Sequence, residues 1–195
     1  MSFGRTQRHA DDGACGVRNA DAFHFAVCRS VEEGVTYVGA AGNDARNIKN
    51  NSPSAYDELL AATAMADTDG EPGGEGPSPA SCLRERDDTA AFFSNFATPG
   101  SQDARHTIAA PGVCATSTRP GNDYGSSNGT SFSAPLVTGT AALYEASHQD
   151  PKPRQVMEIL LTDASEQPRS YGFRGDPYRP IEGRYYGYLV HAGDF

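Results

Sequence analysis

No stretch of the chain approaches the roughly 20 consecutive apolar residues that a membrane-spanning helix requires. The opening Met1-Ser2-Phe3-Gly4-Arg5 also lacks the charged-then-apolar order of a signal peptide. The sequence thus predicts no membrane span and no export signal of its own. Clustered Lys and Arg are missing as well. The 195 residues carry 16 basic against 25 acidic side chains, a formal charge of -9, which argues against a nucleic-acid partner because phosphate binding needs concentrated positive charge. No internal repeat is visible, and none of the four cysteines stands in the Cys-x-x-Cys spacing of a zinc or redox site.

With 37% hydrophobic residues the chain is long and apolar enough for one globular domain over 1–195. Its cysteines fall into two groupings, Cys15 with Cys28 and Cys82 with Cys114. Two disulfides, implying an oxidising compartment, stand beside the alternative of four reduced buried thiols. Cross-linkable cysteines in a chain without an export signal lead to the expectation that a signal lies upstream of Met1.

Asn19 reads as a helix cap, followed at helical spacing by Ala22, Phe23, Ala26, Val27 and Val31, with Gly34 as the stop. Residues 35–40, 59–65 and 107–110 read as buried strands. A helix is predicted from 131 to about 147, mostly buried through Leu136, Val137, Ala141, Ala142 and Leu143, with Gly139 allowing close packing. Another begins near Pro153. An acidic, Gly- and Pro-rich insertion spans about 67–88. The tail, about 168–195, ends in a strand-like 185–190. Strands alternating with helices indicate an α/β fold with a parallel sheet.

Two segments carry chemistry. In Asn128-Gly129-Thr130-Ser131-Phe132-Ser133-Ala134-Pro135 a serine opens a helix, where unpaired amides and the positive end of the helix dipole favour a developing oxyanion. Taken alone, Thr130-Ser131 is equally a cap. Ala40-Ala41-Gly42-Asn43 follows a buried strand and puts an amide donor at its carboxyl end. By itself Asn43 is also a common turn residue.

Together with Met1-Ser2-Phe3-Gly4 and Ala109-Ala110-Pro111-Gly112, these segments resemble, in order, the subtilisin-like (subtilase, S8) serine protease family. The resemblance implies a partial S8 catalytic domain: a three-layer fold, its parallel sheet flanked by helices and incomplete at the N-terminal side. It further implies a serine endopeptidase with Ser131 as nucleophile and Asn43 as oxyanion donor. Ser2, Phe3, Gly4, Ala40, Ala41, Gly42, Gly129 and Thr130 would form the substrate cleft, open to bulky apolar side chains. Protein or peptide substrates follow, as does a secreted parent protein. Subtilases often bind calcium, which Asp67, Asp69, Glu71 and Glu75 could gather.

The departure from the family is its base half. The family's Asp and His precede the segment where this chain starts, and none of His9, His24, His106, His148 and His191 is followed by Gly-Thr. His24 and His148, on helices, read as solvated or dipole-complementing. Asp67-Thr68-Asp69-Gly70 reads as part of the insertion rather than as the catalytic aspartate. The expectation is therefore a truncated product, inactive alone, that folds poorly or exposes an apolar sheet edge. Beside it stand a split protease completed by a second chain supplying Asp and His, and a non-catalytic protein that binds peptides by strand addition.

Overall fold

A computed structural model describes residues 1–6, 11–77 and 85–193. In chain order it contains β1 (Arg5–Thr6), α1 (Ala22–Glu32), β2 (Val38–Ala40), β3 (Asn51–Ser52), β4 (Leu60–Ala66), β5 (Thr89–Ala90), β6 (Thr107–Pro111), β7 (Ala115–Arg119), β8 (Asp123–Ser127), α2 (Thr130–Ser147) and α3 (Pro153–Glu166). No helix among the described residues is long and apolar enough to cross a membrane.

β4 is the centre of the sheet. One edge pairs in parallel with β6, Ala62 opposite Ile108; the other pairs in parallel with β2, Ala62 opposite Ala40, and then antiparallel with β5. Every residue of β4 is buried, as expected of a parallel strand covered on both faces. Its alternation assigns the two sides. Leu60 and Ala62, with Val38, Ala40, Ile108 and Ala110, meet Ala134, Val137 and Ala141 of α2 and Val156 and Leu160 of α3. Met65 and Ala109 meet Phe173, Tyr186 and Leu189 from the tail. The tail forms isolated bridges, Ala97 to Tyr185 and Ala109 to Leu189, rather than the strand expected over 185–190.

The sequence led to the expectation of an exposed apolar sheet edge; at β2 the edge is partly covered, since the Ala40 amide donates to the Met1 carbonyl at 2.9 Å and the Met1 amino group donates to the Val38 carbonyl. Apolar surface is exposed elsewhere. On α2, Val137 and Ala141 are buried as expected, but Leu136 (47%), Ala142 and Leu143 (50%) face outward. Gly139 does not serve close packing, since a Cβ there would meet no atom within 4 Å. Gly139→Ala is therefore expected to stabilise the protein by about 1 kcal/mol through helix propensity alone, read as a shift in the urea midpoint.

α1 also differs from expectation. Its cap is Asp21, whose carboxylate accepts from the Phe23 and His24 amides at 3.0 and 3.2 Å, not Asn19. The buried face is His24, Val27 and Cys28, while Ala22, Phe23 and Ala26 are exposed. The rotation has a cause. Cys28 is tied to Cys15 by a disulfide with Cα atoms 5.8 Å apart. His24, far from solvated, stacks on Tyr56 at 4.0 Å and bonds Glu58 at 2.8 Å. Cys114 is disulfide-bonded too; Cys82, its expected partner, lies outside the described residues. His148 is exposed at the end of α2, its Nδ1 2.9 Å from the Tyr144 carbonyl, as a dipole-complementing residue should be.

The loop before α1 wraps around Asp12, whose carboxylate accepts from the amides of Ala14, Gly16, Arg18 and Asn19 at 2.7–3.1 Å. Desolvation works against the charged form, but these four donors outweigh it and hold the carboxyl at about 2. A depressed folded value means stability that is present above the unfolded carboxyl pKa, about 4, and is lost as pH falls through about 2. We expect carboxyl NMR to titrate Asp12 near 2, and Asp12→Ala to flatten the acid limb of the stability profile.

Candidate active site

Ser131 is the second residue of α2, and the helix begins on Gly129, which supplies no capping side chain. Gly129 has φ 147 and ψ 155, a conformation that side chains rarely adopt. Its buried position leaves the Ser131 amide at the open end of the helix, where no intrahelical acceptor exists. Gly112 makes this close approach possible. A Cβ there would lie 2.4 Å from Ser133 Oγ and 3.0 Å from the Gly129 carbonyl. Without it, the Gly112 carbonyl accepts from the Gly129 amide at 2.8 Å.

Asn43 is oriented by Thr130. The Thr130 amide donates to Asn43 Oδ1 at 2.9 Å. The Gly42 amide donates to Thr130 Oγ1 at 3.0 Å, so that hydroxyl passes its own proton to Asn43 Oδ1, also at 3.0 Å. Two donors on one oxygen fix which end of the amide is which, and Nδ2 points away from them. A Cβ at Gly129 would sit 3.3 Å from Asn43 Nδ2 and 3.7 Å from the Ser131 nitrogen. The two N–H donors thus converge on one small space that only glycine leaves open.

Ser131 and Ser2 form a reciprocal pair. Ser131 Oγ donates to the Ser2 carbonyl at 3.2 Å, and Ser2 Oγ donates to the Ser131 carbonyl at 3.1 Å. The second bond answers a local deficit. Pro135 has no amide to give the carbonyl four residues earlier, which is that of Ser131. Ser2 supplies the missing proton.

A cleft of about 360 Å³ joins Ser2, Phe3, Gly4, Ala40, Gly42, Asn43, Thr130 and Ser131. Two of the expected cleft residues do not line it: Gly129, which is buried at the start of α2, and Ala41, which is wholly buried. Its carbonyl instead accepts from Asn51 Nδ2 at 3.0 Å and Asn95 Nδ2 at 2.8 Å. Residues 2–4 have no ladder partner; pairing begins only at β1, with β3. No histidine lines the cleft among the described residues. His24 bonds Glu58, His106 the Leu59 carbonyl, His148 the Tyr144 carbonyl and His191 Asp163. His9 lies outside the described residues. Asp67 lines a different cavity, with Leu136 and Tyr171.

Sequence reasoning missed Asn95. Its buried side chain donates to the Ala41 carbonyl and accepts from the Asp44 and Arg46 amides at 3.0 and 2.9 Å. It thus holds the main chain on both sides of Asn43. Asn95→Ala would orphan two amides, and we expect a loss of about 3 kcal/mol, measured by urea unfolding.

The acidic insertion gathers different residues from those expected. Asp67 and Asp69 come within 4.8 Å of Asp87, and Glu71 and Glu75 are not part of the cluster. Asp87 accepts from the Thr68 amide and hydroxyl and from the Gly76 amide. Burial raises its pKa, but these donors prevail and hold it below the usual carboxylate value.

Known proteins resemble this chain over most of its length. A subtilisin-like protease of Coccidioides posadasii (strain C735) is 32% identical over 154 residues, 76% of this chain and 32% of that protein. Subtilisin DY of Bacillus licheniformis is 29% identical over 153 residues, 77% of this chain and 47% of that protein. The solved structure of a cold adapted subtilisin-like serine proteinase superposes with a TM-score of 0.65 at 22% identity, covering 98% of this chain and 53% of the other. The chain therefore spans about a third to a half of the length of these relatives. The profile of the subtilase family (Peptidase_S8) matches residues 1–178, and the chain belongs to that family.

Proposed function

We propose that this chain carries the nucleophile and oxyanion half of a serine endopeptidase site. The convergence of Asn43 Nδ2 and the Ser131 amide on the space beside Gly129 is the observation that carries this reading. Ser131 Oγ attacks the scissile carbonyl, and its oxygen moves into that space as charge develops on it. The substrate backbone lies between residues 2–4 and residues 40–42, beside the main chain of residues 2–4, which has no ladder partner among the described residues. The small residues at 40 and 42 favour a bulky apolar side chain in the first pocket.

The proton of Ser131 must go to a base, because a serine hydroxyl near its ordinary pKa is a poor nucleophile. In this structure it rests on the Ser2 carbonyl, which cannot act as one. The base is therefore an imidazole from polypeptide outside the described cleft, either in a longer form of this chain or in a second chain. The outward-facing Leu136, Ala142 and Leu143 of α2 support further polypeptide packing there. Secretion of the parent protein belongs to the same reading and is supported by the Cys15–Cys28 disulfide. Subtilases often bind calcium, and in the acidic insertion the carboxylates of Asp67, Asp69 and Asp87, within 4.8 Å of one another, are the oxygen donors that would hold one.

The experiment is fluorophosphonate labelling of the chain alone and of a longer polypeptide that adds a histidine-bearing segment. Slow labelling of the first and fast labelling of the second, both lost in Ser131→Ala, is the expected result. Failure of both to label, with tight binding of extended peptides that survives Ser131→Ala, would replace the enzyme by a peptide-binding protein that uses the unpaired main chain of residues 2–4.

A further inference from the structure

Asn51 also lines the cleft of Ser131, and neither the nucleophile nor the oxyanion donor uses it. It opens β3, pairs with Thr6 of β1 and is only 6% exposed. Gly4 on one wall and Gly42 on the other both look onto its side chain. A Cβ at either would lie 3.2 Å from Asn51 Nδ2, and one at Gly4 would also lie 3.7 Å from Oδ1. Two glycines therefore hold open a narrow passage between two runs of main chain, and the Asn51 amide is its floor.

The orientation of that amide is fixed from behind. The Ala41 carbonyl, which only accepts, lies 3.0 Å from Nδ2, so the nitrogen end is on that side. Ser54 Oγ accepts the second Nδ2 proton at 2.9 Å and gives its own to the Asn51 carbonyl at 3.0 Å. Both amide protons are thereby used inside the protein, and Oδ1 is left over. No donor among the described residues reaches Oδ1. Nor is it one of the enclosed side-chain atoms without a partner, which belong to His24, His106 and Arg179. Oδ1 therefore opens on the cleft that Asn51 lines.

An acceptor in that position discriminates between side chains. Water can serve it while the cleft is open. A side chain that fills the passage expels the water, and one without a donor at its tip then strands a buried oxygen. Sites that bond a hydroxyl reject the analogue lacking it more strongly than apolar pockets reject an extra methylene. Charge does not select, because Arg5 and Asp44 line the same cleft with opposite signs. A flat ring ending in a neutral hydroxyl suits the glycine walls and the floor together.

We propose that Asn51 is the specificity-determining residue of the first pocket, and that the cleft takes tyrosine next to the scissile bond in preference to phenylalanine, the tyrosine hydroxyl donating to Asn51 Oδ1. The inference rests on the reading of this cleft as the peptide site. It narrows the substrates from bulky apolar residues to those with a hydrogen-bond donor at the tip.

The test measures binding, so that it does not depend on the missing base. Two fluorescent alanine peptides, one with a single tyrosine and one with phenylalanine in its place, are titrated by anisotropy against the whole chain carrying Ser131→Ala. The tyrosine peptide is expected to bind about tenfold more tightly. Asn51→Ala should abolish that preference. It removes the acceptor without stranding Ala41, whose carbonyl keeps the Asn95 Nδ2 donor at 2.8 Å. Thermal unfolding establishes that the variant is folded; if it is not, the two affinities of the chain with Asn51 intact decide alone. Equal affinities there, or a tyrosine preference that survives Asn51→Ala, overturn this inference and leave the cleft reading standing. Failure of both peptides to bind at millimolar concentration overturns the two together.

Discussion

Ser131→Ala is expected to lower peptide hydrolysis about 10⁶-fold in any preparation where this chain is active, a magnitude that comes from subtilisin itself. The size follows from the site's economy of parts. Among the described residues the cleft holds one hydroxyl at the convergence of two N–H donors, and the neighbouring hydroxyl, Ser2, is committed to the Ser131 carbonyl. No second nucleophile takes over. Alanine also fits the helix, so the backbone around position 131 and the Ser2 hydroxyl bond to its carbonyl should persist. Loss of turnover with unchanged thermal stability and unchanged peptide affinity is the expected pattern. Retention of hydrolysis within tenfold of the parent protein would show that another residue does the chemistry.

Asn43→Ala is expected to reduce turnover about 10²–10³-fold with little change in KM, again a magnitude known from a subtilisin. The substitution removes a donor that serves charge present only in the transition state, so ground-state binding is spared. Asn43 also has a structural duty, since its Oδ1 accepts both protons from Thr130. Alanine would leave that amide and hydroxyl unanswered, a destabilisation of about 1–3 kcal/mol. Asn43→Asp separates the two effects. It keeps an oxygen for Thr130 but offers no N–H to the oxyanion, so stability should recover while turnover stays low. If Asn43→Asp restored turnover instead, Asn43 would be a structural residue only.

Much of the scaffold was legible in the sequence, and the reasons differ by element. β4 and β6 lie within a residue of expectation because continuous apolar runs ending at turn residues have few other readings. Pro153 marks the start of α3 for a local reason, its fixed φ. The β7–β8 hairpin was not foreseen. Its residues, Ala-Thr-Ser-Thr-Arg and Asp-Tyr-Gly-Ser-Ser, are exposed or half-buried, none of them buried, and show no apolar alternation. The signal that could have found it is the Gly121-Asn122 pair, both at positive φ in the turn.

The buried face of α1 was misread because hydropathy ranks His24 below Phe23, whereas Glu58 and Tyr56 make the histidine the better-satisfied residue inside. In the site, Ser131 and Asn43 were visible through their neighbours in sequence. Asn95 was not, because the backbone groups it holds, from Ala41 to Arg46, are about fifty positions away and nothing in Ser94-Asn95-Phe96 points to them.

The bonds that shape the cleft span long reaches of chain: 129 positions separate Ser2 from Ser131, and 87 separate Asn43 from Thr130. Closing such loops is entropically unfavourable until the sheet between them has brought their ends together. Helices α2 and α3 need only local contacts and can form far sooner. Topology thereby predicts an order of events in folding: helicity returns first, and the proposed site is completed only with the last non-local closure. A population that looks folded by its secondary structure can still be chemically silent, and the interval between the two signals measures how long the distant halves of the site take to find each other.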